Sequence, residues 1–286
     1  MSLIPIALET RSIDVGGLRL RCVKGGAGDP LVLLHGLNIG WGQWYAVFAD
    51  LARRHTVFAL DLPGAGAASR IDLMSDDVAG ILTRSVDGAL RTLVPGGATV
   101  VGHSLGAWAA LKLAAQDHPS IKAVVAVSPV GFTRHVPPRF RPLALRPLAL
   151  FLAKVAVPPT RANIETFLAD VMENKAAMAP EYVDYVVEHV ARPPVSHPFL
   201  LIHRLFRPFR FRDEFMLTPE ELTAIRRPVM IVHGAEDPLI PLSRVREAFG
   251  RIPGVRTAIL DGVGHVPPIE RPAEFARLIN EFPPSR

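Results

Sequence analysis

The stretch Gly102-His103-Ser104-Leu105-Gly106 restricts this chain more than any other. It follows the run Thr99-Val100-Val101 and precedes residues 107–115, which are mostly small or apolar. A serine at the apex of a sharp strand-to-helix turn needs glycine on both sides, where a Cβ would collide with the crossing backbone. The turn strains the serine and exposes its hydroxyl beyond the carboxyl end of the strand. The N–H of Leu105, at the start of the helix, then points at negative charge developing there. A strand feeding a helix that packs back on it belongs to a parallel sheet.

The rest of the chain supports that reading. Residues 11–15 and 18–23 flank Gly16-Gly17 and predict an antiparallel hairpin. Apolar runs at 31–34, 55–60, 99–101, 123–128, 228–233 and 256–260 are too short for helices and predict strands. Helical stretches alternate with them at 75–93, 107–115, 242–250 and 272–282. From Gly131 to about Thr218 the alternation stops and prolines and arginines become dense, with helical stretches at 164–178 and 180–190. The expectation is an α/β fold, a doubly wound sheet closed from both ends of the chain. Residues 1–130 and 220–286 form its core, and residues 131–219 form a helical cap.

More motifs stand at strand ends. His35-Gly36 ends one strand, and the loop there is expected to offer a second backbone N–H, from Leu37, to an oxyanion at Ser104. His35 itself reads as a hydrogen-bonding residue of the loop. Asp237 lies just past the strand at 228–233, and His265 lies in the turn Gly262-Val263-Gly264-His265 after the strand at 256–260. Both loops open on the sheet edge that carries Ser104.

Taken in order, His35-Gly36, Asp61-Leu62-Pro63-Gly64-Ala65-Gly66, the Ser104 pentapeptide, His233-Gly234-Ala235-Glu236-Asp237 and Gly264-His265 resemble the α/β-hydrolase superfamily. The resemblance is to its capped esterases, lipases and carbon–carbon bond hydrolases, and it spans nearly all of the chain outside the cap. It implies an eight-stranded, mostly parallel sheet. It also implies a triad of Ser104, Asp237 and His265, in the chain order of that fold. In the implied reaction His265 takes the Ser104 proton as Ser104 attacks a carbonyl. Asp237 fixes the imidazole, and the Leu37 and Leu105 amides hold the oxyanion.

Other polar residues compete for these roles. Glu236 adjoins Asp237, but the family's spacing favours Asp237. Asp61 and Asp261 read as turn-bracing groups. His103 reads as structural, and His55, His118, His135, His189, His197 and His203 as packing or solvated residues. Serine at the elbow disfavours the alkyl-enzyme chemistry of related enzymes that carry aspartate there. No His/Cys spacing suits a metal and no early glycine-rich loop suits a dinucleotide, so neither metal nor cofactor is expected.

The 286 residues carry a formal net charge of +5, but no basic helix is interleaved with aromatics, so no nucleic-acid partner is expected. A single cysteine, Cys22, allows no intrachain disulfide. The first residues carry no secretory pattern, and a cytoplasmic protein with a small-molecule substrate is expected, its oligomeric state left open. Arg134, Arg139, Arg141, Arg146, Lys154 and Arg161, and then Arg204, Arg207, Arg210 and Arg212, alternate with Leu and Phe in the cap. In the favoured reading the apolar residues line an acyl pocket while the arginines stay solvated. In the other, the cap touches anionic lipid, and Pro137, Pro138, Pro142 and Pro147 weigh against it by breaking any long amphipathic helix.

The expected function is a carboxylesterase acting on a small-to-medium ester with an apolar acyl or alcohol part. The alternatives are the same triad on a ring-cleavage product's C–C bond, an amide, a lactone or a thioester, or a ligand receptor without turnover. An arginine-rich pocket facing Ser104 would favour the ring-cleavage product.

Overall fold

The computed structural model describes residues 6–37, 39–73, 77–190, 198–207 and 210–282. Ser75, His197 and Phe209 lie outside the described residues, as do the side chains of Arg139, Lys154 and Phe199. Strands β1 (Glu9–Val15) and β2 (Leu18–Gly25) form the hairpin. Gly16 and Gly17 have φ of 58° and 82°, the two positive values that a tight hairpin turn requires. Then follow β3 (Asp29–Leu34), α1 (Tyr45–Ala52), β4 (His55–Asp61), α2 (Val78–Leu93), β5 (Ala98–His103), α3 (Leu105–Ala115) and β6 (Ile121–Val127).

An insert separates β6 from the next sheet strand. It holds α4 (Arg146–Phe151), α5 (Arg161–Ala169), α6 (Pro180–Val190), α7 (Pro198–Leu205) and the short ribbon β7 (Phe206–Arg207) and β8 (Arg210–Phe211). Helix α8 (Pro219–Ala224) leads back, and β9 (Val229–Gly234), α9 (Leu242–Phe249), β10 (Arg256–Leu260), α10 (Pro267–Glu270) and α11 (Pro272–Glu281) complete the chain.

The eight strands of the main sheet run in the order β1-β2-β4-β3-β5-β6-β9-β10. Strand β2 is antiparallel to both neighbours, and every pair from β4 to β10 is parallel. The sheet is doubly wound because successive side chains alternate in direction and both sets are apolar. Leu31, Leu33, Val101 and Val125 meet α1 and α11 through Phe48, Phe275 and Ile279 on one face. Val32, Leu34, Val100 and Val124 meet α2, α3 and α9 on the other.

A third, smaller core joins α5 and α6 of the insert to the end of the chain. Ile164, Leu168, Tyr182 and Val186 pack there with Val266 and Ile269. Tyr45 stacks on Tyr182 with ring centroids 5.0 Å apart. The helix expected over 164–178 ends at Ala169. The backbone beyond it is committed to partners in the core: the Val171 carbonyl accepts from His265 N (2.8 Å), and the Glu173 and Asn174 amides donate to the Glu270 carboxylate (2.8 and 2.9 Å). Such bonds compete with a continuing helical ladder. Among the described residues no helix is long and apolar enough to cross a membrane.

Candidate active site

Ser104 links β5 to α3 with φ 51° and ψ −108°, a strained region for a residue with a Cβ. Both flanking glycines are needed. A Cβ on Gly102 would lie 2.5 Å from the Ala107 nitrogen, and one on Gly106 would lie 2.5 Å from the Leu34 carbonyl oxygen. The strain is held by Ser104 N donating to Val127 O (2.8 Å) and Trp108 N donating to Ser104 O (3.0 Å). Leu105 is the first residue of α3, as the sequence predicts.

His265 follows β10 and is 5% exposed, and Asp237 follows β9 and is 3% exposed. His265 Nδ1 lies 2.8 Å from Asp237 Oδ2. The other carboxylate oxygen accepts from the Leu239 and Ile240 amides (2.8 and 2.9 Å), which fixes the Asp237 rotamer. Burial works against ionising Asp237. His265, and behind it His233 and the Ile240 amide, outweigh burial and hold the carboxyl below its ordinary range. An ionised Asp237 accepts a hydrogen bond from the Nδ1–H of His265, which leaves Nε2 as the basic nitrogen. His265 and Ser104 border one cavity.

The loop after β3 is braced from several sides. Gly36 N donates to Gln43 Oε1 (2.9 Å), His35 Nδ1 meets Gly36 O (2.8 Å), and Leu62 N donates to His35 Nε2 (3.0 Å). His35 is thus the structural residue the sequence suggests. With the Gly36 amide engaged, Leu37 follows at the cavity wall. A Cβ on Gly36 would meet His103 Nδ1 at 2.6 Å and Ser104 Cβ at 3.2 Å, so only glycine lets this loop approach the serine.

The competing residues separate cleanly. Glu236 faces away from the imidazole and accepts from the Gly262 and Val263 amides (2.8 and 3.1 Å). It braces the turn assigned to Asp261, which stands exposed instead. Asp61, fully buried, accepts from Trp41 N (2.7 Å), Ala67 N (2.8 Å) and Arg21 Nε (2.6 Å), a turn brace as expected. His55, His118, His189 and His203 are each bonded to nearby side chains or carbonyls away from the cavity.

Sequence reasoning missed Glu270. It is 2% exposed, and its carboxylate accepts from Gly264 N, Val266 N, Glu173 N and Asn174 N at 2.8–3.0 Å. The available signal was a lone acid five residues after His265, in a run otherwise made of glycine, valine, proline and isoleucine.

His103 Nε2 lies 2.7 Å from the His265 carbonyl oxygen, and the two rings meet edge to face at 4.9 Å. Burial, reinforced by neighbouring His265, pushes the His103 pKa down to about 3. The folded protein therefore keeps His103 neutral where an unfolded chain binds a proton. This contribution to stability is complete above about pH 6.5 and is lost as pH falls towards 3, at about 1.4 kcal/mol per pH unit. The expected result is a gap of about 2 kcal/mol between the acid sensitivity of wild type and of His103→Asn from pH 7.5 to 5, read from urea midpoints. Equal losses in both proteins would show that His103 titrates in place.

The cavity encloses about 720 Å³ of space between atoms, its open mouth included. The core supplies Leu37, Ile39, Val130, Leu239 and Ile240, and the insert supplies Phe140, Phe167, Ile202, Phe206 and Phe211. Among the described residues its only polar lining side chains are His103, Ser104 and His265. The insert's arginines point elsewhere. Arg204 pairs with Glu214 (2.6 Å), Arg134 and Arg210 pair with Asp213, and Arg161 pairs with Asp184. These four are ion-paired within the insert; Arg134, Arg161 and Arg210 stay about half exposed, as the solvated reading expects, and only Arg204 is largely covered.

Known proteins share this architecture. An uncharacterized protein of Mycobacterium tuberculosis is 27% identical over 282 residues, covering 97% of this chain and 81% of that protein. The 2-hydroxy-6-oxo-2,4-heptadienoate hydrolase of Pseudomonas putida is 25% identical over 275 residues, covering 95% of each. Naproxen esterase (carboxylesterase NP) from Bacillus subtilis superposes with a TM-score of 0.80 at 21% identity, covering 98% of this chain and 93% of that one. A sequence model of the alpha/beta hydrolase family matches residues 31–278, and the chain belongs to that family.

Proposed function

We propose that the protein is a carboxylesterase for neutral esters with an apolar acyl or alcohol part, acting through Ser104, His265 and Asp237. The cavity carries this reading: apart from His103, Ser104 and His265 its described lining is apolar, with no lysine or arginine. The Pseudomonas putida relative is named for a dienoate substrate, which bears a carboxylate. A carboxylate moved from water into this wall would go unpaired at a cost of several kcal/mol. A neutral ester meets no such penalty.

Ser104 Oγ attacks the ester carbonyl as His265 Nε2 takes its proton. Asp237, bonded to Nδ1, stabilises the resulting imidazolium. The oxyanion is received by the Leu105 amide, at the amino end of α3, and by the Leu37 amide across the cavity. His265 returns the proton to the departing alkoxide. It then draws a proton from water as the water attacks the acyl-enzyme, and returns that proton to Ser104 Oγ as the carboxylic acid departs.

The test is the rate on p-nitrophenyl esters of rising acyl length beside 2-hydroxy-6-oxo-2,4-heptadienoate. The expected kcat/KM climbs by up to roughly fourfold per methylene until the cavity is filled, because each buried CH₂ contributes about 0.8 kcal/mol. The dienoate is expected to be at least ~100-fold slower than the best ester. Preference for the dienoate, or ligand binding without turnover of any ester, overturns the proposal.

A further inference from the structure

Among the described residues the exposed large hydrophobic side chains are Leu145 (53%), Phe151 (53%) and Val155 (64%). All three fall in one short segment: Leu145 is the extended residue that caps α4, Phe151 ends α4, and Val155 lies in the helical turn Leu152–Ala156 that prolongs it. Pro147 sits in the first turn of α4, where a missing N–H costs nothing, so the rod runs unbroken from Arg146 to Ala156. Its inner side buries Ala149 and packs on α7 and on the turn Pro138–Ala144. Those elements carry Ile202, Leu205 and Phe140 of the cavity wall, so the exposed apolar face is the outside of the wall that closes over Ser104. From residue 131 to residue 161 the chain holds six basic residues and no acidic one, and of these Arg134 and Arg161 pair with Asp213 and Asp184 from outside the segment. Arg146, beside Leu145, is exposed and has no acidic partner among the described residues.

We propose that this face docks on an anionic lipid surface, with Leu145, Phe151 and Val155 entering the acyl layer and Arg146 at the level of the phosphates. A short amphipathic helix with apolar residues on one side and cations at its rim is suited to the headgroup boundary. The charge argues against a second copy as occupant, since a two-fold contact would set basic segments against each other. The docking stands on the surface alone, whatever bond Ser104 attacks.

The experiment is co-sedimentation of the full chain with vesicles of equal parts phosphatidylglycerol and phosphatidylcholine, and with phosphatidylcholine alone, at about 50 mM and about 500 mM salt. The expected result is at least ~10-fold more protein bound to the anionic vesicles at low salt, most of it released at high salt. The double variant Phe151→Asp, Val155→Asp is expected to lose this binding, and Arg146→Glu to lose most of it. Both should keep the wild-type melting temperature and wild-type hydrolysis of a soluble short-chain p-nitrophenyl ester, because neither touches the cavity. Equal binding to both vesicle types, or undiminished binding by the double variant, overturns the proposal. So does a wild-type dimer in sedimentation velocity that the double variant dissociates, which would assign the face to a second copy.

Discussion

Ser104→Ala is expected to hydrolyse p-nitrophenyl esters about 10⁵–10⁶-fold more slowly than wild type, with the loss in kcat and little change in binding. The removed hydroxyl is the only one among the described residues that line the cavity: His103 is kept neutral by burial with Nε2 on the His265 carbonyl, and His265 is held by Asp237. The variant should fold as wild type does, because the bonds that shape the elbow come from the Ser104 backbone. Alanine inherits the strain of φ 51°, whereas Ser104→Gly releases it. Ser104→Gly should therefore be equally inactive and more stable than Ser104→Ala by about 1 kcal/mol. Asp237→Asn is expected to lower kcat about 10⁴-fold, since an amide no longer selects the tautomer with Nε2 free. Residual turnover by Ser104→Ala within about tenfold of wild type would remove Ser104 from the mechanism and place hydrolysis elsewhere.

What the sequence could reveal follows from where each residue's environment is encoded. Strands β3, β5, β6 and β9 are buried on both faces and read as unbroken apolar runs, so their positions and the loops at their ends were legible. Ser104 and Asp237 follow such strands within a few residues and His265 follows the edge strand β10, and the structure brings His265 against Asp237 and places Ser104 on the same cavity. Helix α1 was not legible. Its aromatic residues face two ways, with Phe48 on the sheet and Tyr45 stacked on Tyr182 of the insert, which blurs a single apolar stripe. The end of α5 was hidden for another reason. Local preference continues the helix, and only the distant partners Glu270 and His265 take its backbone groups away. Glu236 and Asp261 show the same limit: the two acids are equally suited to bracing the His265 turn, and spacing alone does not say which one reaches it.

Replacing Glu270 with alanine is expected to destabilise the fold by about 3–5 kcal/mol, a fall in melting temperature on the order of 10 °C. The carboxylate is buried and accepts four backbone N–H groups, and it forms no ion pair among the described residues. Its removal leaves four donors without an acceptor in a site too enclosed for easy hydration, and each orphaned group costs about 1–3 kcal/mol. Two of those donors, Gly264 and Val266, flank His265; the other two, Glu173 and Asn174, belong to the insert. One side chain therefore fixes the proposed base and ties the α5–α6 half of the insert to it. Measured well below its melting point, Glu270→Ala should lose about 10²-fold in kcat, because a small displacement of His265 spoils its approach to Ser104. Hydrogen exchange separates this clamp from general loosening. The amides of Gly264, Val266, Glu173 and Asn174 should exchange fast in the variant, while those of β5 and β6 keep their protection. Glu270→Gln turns an NH₂ group towards the same donors and should recover less than half of the lost stability. A melting temperature within about 2 °C of wild type, with the four amides still protected, would mean that other contacts hold the His265 turn.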